Sequence, residues 1–139
     1  MNHNDLENIS LLLDDMPKKW EKFADIVLLP NSAFKNIHWK LIICNDFWLN
    51  ICNSLGVKRL ARLGEIVGEK RESTVEILVG DDDWVIRKES GIKYGYNLTQ
   101  CMFSSGNINE RRRMGEVISK DDIIVDLFCG IGYYTLPIL

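Results

Sequence analysis

The chain has 139 residues, of which 46% are hydrophobic and 27% are charged, as in a globular domain with its own core. Its net charge of −3 gives no electrostatic argument for a nucleic-acid partner. The polar, acidic start lacks the features of a secretory signal, and no apolar run approaches the ~18 residues of a membrane span, so we expect a cytoplasmic protein.

The cysteines and histidines are too scattered to predict a metal site. No two of the four cysteines are spaced as Cys-x-x-Cys, and only two histidines are present. We therefore expect no metal, and reduced thiols in a reducing compartment. The residues are Cys44, Cys52, Cys101, Cys129, His3 and His38.

Apolar side chains at helical spacing predict a first helix over residues 6–16. Pro17 is suited to begin a second short helix, which would place Trp20, Phe23 and Ala24 on one packing face. The apolar run at residues 26–29 is typical of a buried strand.

A helix is predicted from an N-cap at Asp46 to a C-terminal Gly56. Its apolar face is better explained by core packing than by a cofactor; the residues are Phe47, Trp48, Ile51, Cys52 and Leu55. The cations after it, Lys58, Arg59 and Arg62, have two interpretations: a patch that touches phosphates, or a solvated basic helix end. Residues 64–73 are charged and contain glycine, which favours a loop.

Residues 74–98 alternate in the manner of strands and predict an antiparallel meander. Its turns fall at residues 80–83 and 90–91. The three aspartates at 81–83 lack the ligand spacing of a calcium loop, so a hairpin turn is the better interpretation.

A helix is predicted over residues 109–118, preceded by a small, polar segment at residues 104–107. Arg111, Arg112 and Arg113 lie in its first turns, where the helix dipole disfavours cations. This placement indicates an anionic partner such as a carboxylate or phosphate. The alternative is that some of the arginines face water and one pairs with Glu110 or Glu116.

The last segment is typical of a strand that delivers a nucleotide-like ligand to a glycine turn. An apolar strand is predicted at 123–128, with Asp126 near its carboxyl end and Gly130 and Gly132 after it. Glycines allow positive φ and a close approach of a ligand to the backbone, although Thr135 stands where a third motif glycine would be. An ordinary buried strand with a glycine turn is the alternative. Because such a domain needs further strands, we expect the chain to be the front part of a longer protein.

Residues 93–111, which contain Cys-Met-Phe-Ser-Ser-Gly-Asn, and residues 125–137 resemble the wybutosine-synthesizing tRNA aminocarboxypropyltransferases. The similarity extends upstream to about Pro17. This family is related to the tRNA (guanine-N1)-methyltransferases, and the resemblance implies an α/β fold of the class I methyltransferase type. We expect an α+β N-terminal domain at residues 1–100, then the truncated start of a Rossmann-like domain at residues 101–139.

The resemblance also implies an activity: transfer of the 3-amino-3-carboxypropyl group of S-adenosylmethionine (SAM) to C7 of 4-demethylwyosine, in the anticodon loop of phenylalanine tRNA. It implies SAM contacts from Ser104 and Arg111, a position where the family more often has lysine. The turn at Gly130 and Gly132 would lie against SAM, and Asp126 beside it completes the predicted cofactor-binding set.

Two other classes of function remain open at this point. One is methyl transfer from SAM to guanine in tRNA, as in the related family. The other is an inactive tRNA-binding or protein-binding remnant without a SAM site. A third possibility is a product that folds poorly, because the apolar strand at residues 123–128 would have no neighbours.

Overall fold

The computed structural model describes residues 10–67, 72–101, 103 and 106–139. The described part of helix α1 covers residues 10–14. The other helices are a 310 helix at Ile37–Leu41, α2 at Asn45–Leu55, α3 at Ile108–Val117 and α4 at Thr135–Ile138; the strands are β1 Glu21–Phe23, β2 Ile26–Leu29, β3 Arg59–Val67, β4 Glu72–Val79, β5 Trp84–Glu89 and β6 Ile92–Asn97. The predicted mixed α/β class is confirmed. Within these residues, no helix combines the length and apolarity needed to cross a membrane.

Two sheets make up the β structure of the described residues. A four-stranded sheet has the order β1-β2-β3-β4, and β5 and β6 form a separate antiparallel hairpin. Strands β2 and β3 are parallel, with Ile26 opposite Arg59, and α2 lies in the connection between them. Such a crossover covers the sheet with a helix, which explains why β2 is apolar at every position.

Strand β2 is buried on both faces, as the sequence predicted. Val27 and Leu29 pack in a core beneath α2, which contains Phe34, Trp39, Trp48 and Leu60 among others. Ile26 and Leu28 pack in a second core that the β5–β6 hairpin closes, with Phe23, Ala61, Val85, Tyr94, Tyr96 and Leu98. The second core holds the hairpin against the sheet, and the hairpin in turn supports the candidate site.

The predicted face of α2 is confirmed, because Trp48 and Cys52 are buried in the first core and Phe47, Ile51 and Leu55 pack against it. The helix ends as predicted at Gly56, whose φ of +61° is left-handed. Its start lies at Asn45 after an N-cap at Cys44, so Asp46 stands in the first turn rather than at the cap.

Three of the elements predicted between residues 17 and 98 are wrong, each because a tertiary contact outweighs the local pattern. Residues 17–24 do not form a helix; the backbone of β1 pairs with β2, and the side chain of Phe23 is buried in the second core. Residues 64–73 are not a loop in their described part, because β3 and β4 extend through them as a bulged antiparallel pair. The meander is divided, since β4 pairs with β3 and not with β5.

The arginines after α2 lie on β3 and bind carboxylates of the same chain. Arg59 binds Asp25 through Nη2 and Oδ1 at 2.7 Å, and Asp82 through Nη1 and Oδ2 at 3.0 Å. Arg62 binds Glu76 at 2.6 Å. The predicted helix-end position is therefore wrong for both arginines, which instead join neighbouring strands and turns.

Asp25 gives a pH-dependent prediction. Its hydrogen bond to Arg59 holds the pKa of the carboxyl below its ordinary value of 3.8. A carboxyl whose folded pKa is lowered contributes stability above its unfolded pKa, and this contribution disappears as the pH falls through the folded value. We expect the stability difference between wild type and Asp25→Asn, measured by urea unfolding, to shrink from about pH 5 to about pH 2. The same substitution made in an Arg59→Met background should show little such pH dependence.

Candidate active site

Aromatic rings bring three separate segments together at the candidate site. Tyr94 of β6 and Phe103, which precedes α3, have ring centroids 5.4 Å apart. Phe103 lies 5.2 Å from Tyr133, which belongs to the glycine turn. The hairpin, the segment before α3 and the glycine turn therefore meet at Phe103.

Arg111 is the buried charge of this site, with only 3% of its surface exposed. Its Nε donates to Oε1 of Glu89 at 2.8 Å, and Nη2 donates to Oε2 at 2.9 Å. Nη1 donates to the carbonyl oxygen of Gly106 at 2.5 Å. The hydrogen bond to Glu89 raises the pKa of Arg111, more than offsetting burial, which lowers it. The guanidinium also lies 5.5 Å from the centroid of the Tyr133 ring.

The arginine cluster thus has carboxylate partners from within the chain. Arg111 is bound by Glu89 of β5, 22 residues away. Arg113 binds Glu110 at 2.6 Å, as the alternative interpretation of the cluster predicted. Arg112 is exposed. The fork of Arg111 can bind a carboxylate, and Glu89 supplies that carboxylate in this structure.

Asp126 closes the glycine turn. Its Oδ2 accepts from Oγ1 of Thr135 at 2.7 Å, and its Oδ1 accepts from the backbone N–H of Phe128 at 3.2 Å. Gly130 and Gly132 have φ of +54° and +84° between these contacts. The turn leads directly into α4.

The predicted strand at residues 123–128 is wrong for this structure. The segment pairs with no strand among the described residues, and Ile123 and Phe128 are each 95% exposed. Parallel strands are stable only with a neighbour to bond and with helices on both faces. An apolar sequence is therefore insufficient here to produce a strand.

The glycine turn leaves its backbone accessible to a ligand such as SAM. The guanidinium of Arg111 is less available, because it already binds Glu89. A Cβ on Gly130 would have its nearest neighbour, a ring carbon of Tyr133, 4.0 Å away, so the backbone at this position is accessible. Arg111 lies next to the turn through Tyr133, but the edge of its guanidinium that a SAM carboxylate would use is bound to Glu89. Ser104, also predicted to contact SAM, lies outside the described residues.

Sequence reasoning missed Glu89 and Tyr133. No local signal identifies Glu89 as the partner of Arg111, because the two are joined only when the hairpin packs against α3. Tyr133 directly follows Gly132, and an aromatic residue at such a turn is a sequence signal for a cation–π contact with a nearby arginine.

The two motif glycines are expected to differ in their tolerance of alanine. A Cβ on Gly132 would lie 2.9 Å from Cγ of Leu136, whereas Gly130 has space around it. We expect Gly130→Ala to cost only about 1–2 kcal/mol, the cost of a left-handed non-glycine residue, and Gly132→Ala to cost more. Thermal unfolding of the two variants tests this order; equal stabilities would contradict it.

Comparison with known proteins identifies the family. A family model described as the TYW2 N-terminal domain matches residues 7–83, more than half of the chain. The chain belongs to the TYW2 family. A second model, the TRM5/TYW2 methyltransferase domain, matches residues 85–139, a range that contains Arg111 and the glycine turn.

Curated TYW2 relatives align along most of this chain. The tRNA wybutosine-synthesizing protein 2/3/4 of Arabidopsis thaliana is 46% identical over 129 residues, which are 92% of this chain and 13% of that protein. The tRNA wybutosine-synthesizing protein 2 homolog of Rattus norvegicus is 40% identical over 126 residues, 90% of this chain and 29% of that protein. The chain thus spans less than a third of these relatives.

Solved structures agree with this assignment. The crystal structure of P. horikoshii TYW2 in complex with MeSAdo matches with a TM-score of 0.69 and 32% identity, over 93% of this chain and 44% of that one. The complex of aTrm5 and tRNALeu matches with a TM-score of 0.68 over 96% of this chain and 40% of that one, at 22% identity. The second similarity shows the fold alone.

Proposed function

We propose that the chain takes part in wybutosine biosynthesis in the cytoplasm, as part of an enzyme that transfers the 3-amino-3-carboxypropyl group of SAM to C7 of 4-demethylwyosine in phenylalanine tRNA. The observation that carries this proposal is the match to TYW2 in complex with MeSAdo over 93% of the chain. That share includes parts of both family-model matches. The names of the curated relatives support a role in the synthesis of wybutosine in tRNA.

In this proposal residues 1–100 form the domain on the tRNA side, and residues 101–139 begin the SAM-binding domain. Gly130 and Gly132 let SAM approach the backbone, and Asp126 fixes the turn through Thr135. Ser104 and Arg111 contact the methionine part. Because Glu89 already binds Arg111, a SAM carboxylate reaches the fork only by exchange with Glu89.

The chain's own residues act by positioning. When bound, SAM supplies a sulfonium whose three attached carbons are all activated, so the protein must present one of them to the nucleophile. A bidentate arginine fixes both the place and the orientation of a carboxylate. Holding the methionine end in this way would direct the aminocarboxypropyl carbon, rather than the methyl carbon, toward the base.

Methyl transfer to guanine is the second candidate, because one family model covers both the TRM5 and the TYW2 methyltransferase domains. The two reactions differ in the carbon that leaves SAM. The natural polypeptide is incubated with unmodified tRNA or with tRNA that carries 4-demethylwyosine, and with SAM labelled either in the methyl or in the carboxyl carbon.

Carboxyl label on the 4-demethylwyosine tRNA is the expected result. Methyl label on unmodified tRNA would instead support the second candidate. Failure of the polypeptide to bind SAM in calorimetry would overturn both. Gly132→Ala serves as the control for the site, since its added Cβ, 2.9 Å from Cγ of Leu136, should distort the glycine turn and weaken the SAM binding that wild type shows.

A further inference from the structure

Two lysines lie directly opposite each other on the outer face of the β5–β6 hairpin. Lys88 of β5 is paired in register with Lys93 of β6, and both side chains are exposed. Like charges directly opposite on a sheet destabilise the pairing. An anion bound between them would remove this repulsion.

The lysine pair adjoins an open groove between β1 and β5. The groove has a volume of about 900 Å³ and is lined by Glu21, Lys22, Phe23, Ala24, Ile86, Arg87, Lys88 and Lys93. Its one carboxylate, Glu21, is bound by Arg87 at 2.8 Å. Cations therefore outnumber carboxylates among these lining residues, although Nζ of Lys22 also donates to the carbonyl oxygen of Leu55 at 2.8 Å and the chain as a whole is acidic.

An aromatic ring lies on the same outer face. Trp84 and Ile86 alternate with the inward-facing Val85 and are 47% and 53% exposed. The Trp84 ring lies against Gly95, where a Cβ would come within 2.5 Å of it. The direct partner of Trp84 across the hairpin is Asn97, and Gly95 lies two residues from Asn97 in the direction of Lys93. The Trp84 ring is therefore displaced toward the lysine pair.

The acidic turn at residues 81–83 lies at the other end of the hairpin, and two of its carboxylates are engaged locally. Asp82 binds Arg59 at 3.0 Å. Asp83 accepts from Asn97 at 2.6 Å and from the backbone N–H of Thr99 at 2.8 Å. The carboxylates of Asp82 and Asp83 are thus held at the end of the hairpin opposite the lysine pair.

We propose that this outer face binds an RNA strand, with phosphates at Lys88, Lys93 and the groove beside Lys22, and with a base stacked on Trp84. The inference rests on the proposed function, which makes tRNA the substrate, and adds the surface that touches it. Trp84 and Lys88 are four strand residues apart, about 13 Å, so stacking and phosphate contacts fall on different nucleotides. Cations beside an exposed aromatic ring are the combination by which single-stranded nucleic acid is bound.

The test compares the 139-residue chain with Lys88→Gln/Lys93→Gln in fluorescence anisotropy of a labelled phenylalanine tRNA transcript over a range of salt concentrations. Each lost phosphate contact lowers the slope of log K against log salt by about 0.7–0.9. We expect the magnitude of this slope to be smaller by about 1.4–1.8 in the double variant, and its affinity at low salt to be about tenfold lower. Lys40→Gln/Lys120→Gln, which removes equal charge from exposed lysines elsewhere, should lose much less.

Substitutions of Trp84 distinguish the contribution of base stacking from that of the lysine charges. Trp84→Ala should weaken binding about fivefold or more with the salt slope unchanged, and Trp84→Phe should restore most of the affinity. The lysine variant should melt no lower than wild type, because it loses a repulsion, so misfolding does not imitate the expected result.

Three outcomes would overturn the inference: no tRNA binding by the wild-type chain, equal slopes for the two lysine double variants, or displacement of tRNA by polyglutamate as readily as by polyuridylate. Failure of the proposed function looks different. If tRNA binds through these lysines but no label is transferred from SAM, the RNA-binding surface is supported and the proposed transferase function is not.

Discussion

Glu89→Ala is expected to lower the free energy of unfolding by about 3–5 kcal/mol. The substitution leaves the charge of Arg111, whose side chain is only 4% exposed, without the carboxylate that binds both Nε and Nη2. A buried ion pair adds little compared with an apolar pair, but removal of one partner is costly because the other charge stays buried. Equilibrium denaturation with urea measures the loss.

Two comparisons make this first result specific to the buried pair. Glu110→Ala removes the partner of Arg113 on the exposed side of the same helix, and we expect little measurable change. Glu89→Leu combined with Arg111→Met replaces both charges and should recover most of the stability lost in Glu89→Ala. A Glu89→Ala variant as stable as wild type would show that Arg111 is satisfied by other groups.

Glu89 variants also test the proposed exchange at the site. If a SAM carboxylate must displace Glu89 from Arg111, Glu89→Gln should bind SAM more tightly than wild type, provided that the variant is folded. Tighter binding at lower stability would distinguish a competing carboxylate from a purely structural one. Weaker binding would mean that Glu89 positions Arg111 for SAM without competing for it.

Phe34→Ala is the second substitution expected to have a large effect, about 3–5 kcal/mol. The Phe34 ring packs edge-on against Trp39, Phe47 and Trp48, with centroids 4.8, 5.4 and 5.6 Å away. Its removal deletes the centre of the first core and leaves a cavity that these large rings cannot easily fill. The change in thermal midpoint and in urea-unfolding free energy should agree.

The backbone of Phe34 supplies a matched control. Its φ is +57°, a left-handed conformation that is unfavourable for every residue with a Cβ. Phe34→Gly should therefore be at least as stable as Phe34→Ala, the reverse of the order expected at an ordinary position. If alanine proves clearly more stable than glycine, the left-handed conformation is not maintained in the variants.

Sequence patterns correctly predicted the elements that are determined by local residue preferences and the strand that is buried on both faces. The apolar run of β2 and the end of α2 at Gly56 were identified directly. Helix α3 was predicted within one residue at each end. The glycine turn was also predicted from local sequence, since the positive φ values at Gly130 and Gly132 favour glycine at both positions.

The remaining features depend on contacts between distant segments. Residues 21–23 carry a helical pattern but become a strand because β2 offers backbone hydrogen bonds along its edge. Arg111 was predicted to have an anionic partner, but no sequence pattern identifies Glu89 as that partner, and only the folded structure brings the two side chains together. The opposition of Lys88 and Lys93 depends in the same way on hairpin register.

Strand β2 contributes alternate side chains to two different cores, and this arrangement has a consequence for how the molecule opens. Neither core can lose its packing without exposing one face of β2, so the amide protons of residues 26–29 should exchange with solvent only through global unfolding. Exchange in α2 and in the β5–β6 hairpin should slow or accelerate together when either core is mutated. Hydrogen-exchange protection is therefore expected to be shared by the two halves of the described structure, with its maximum at the strand they have in common.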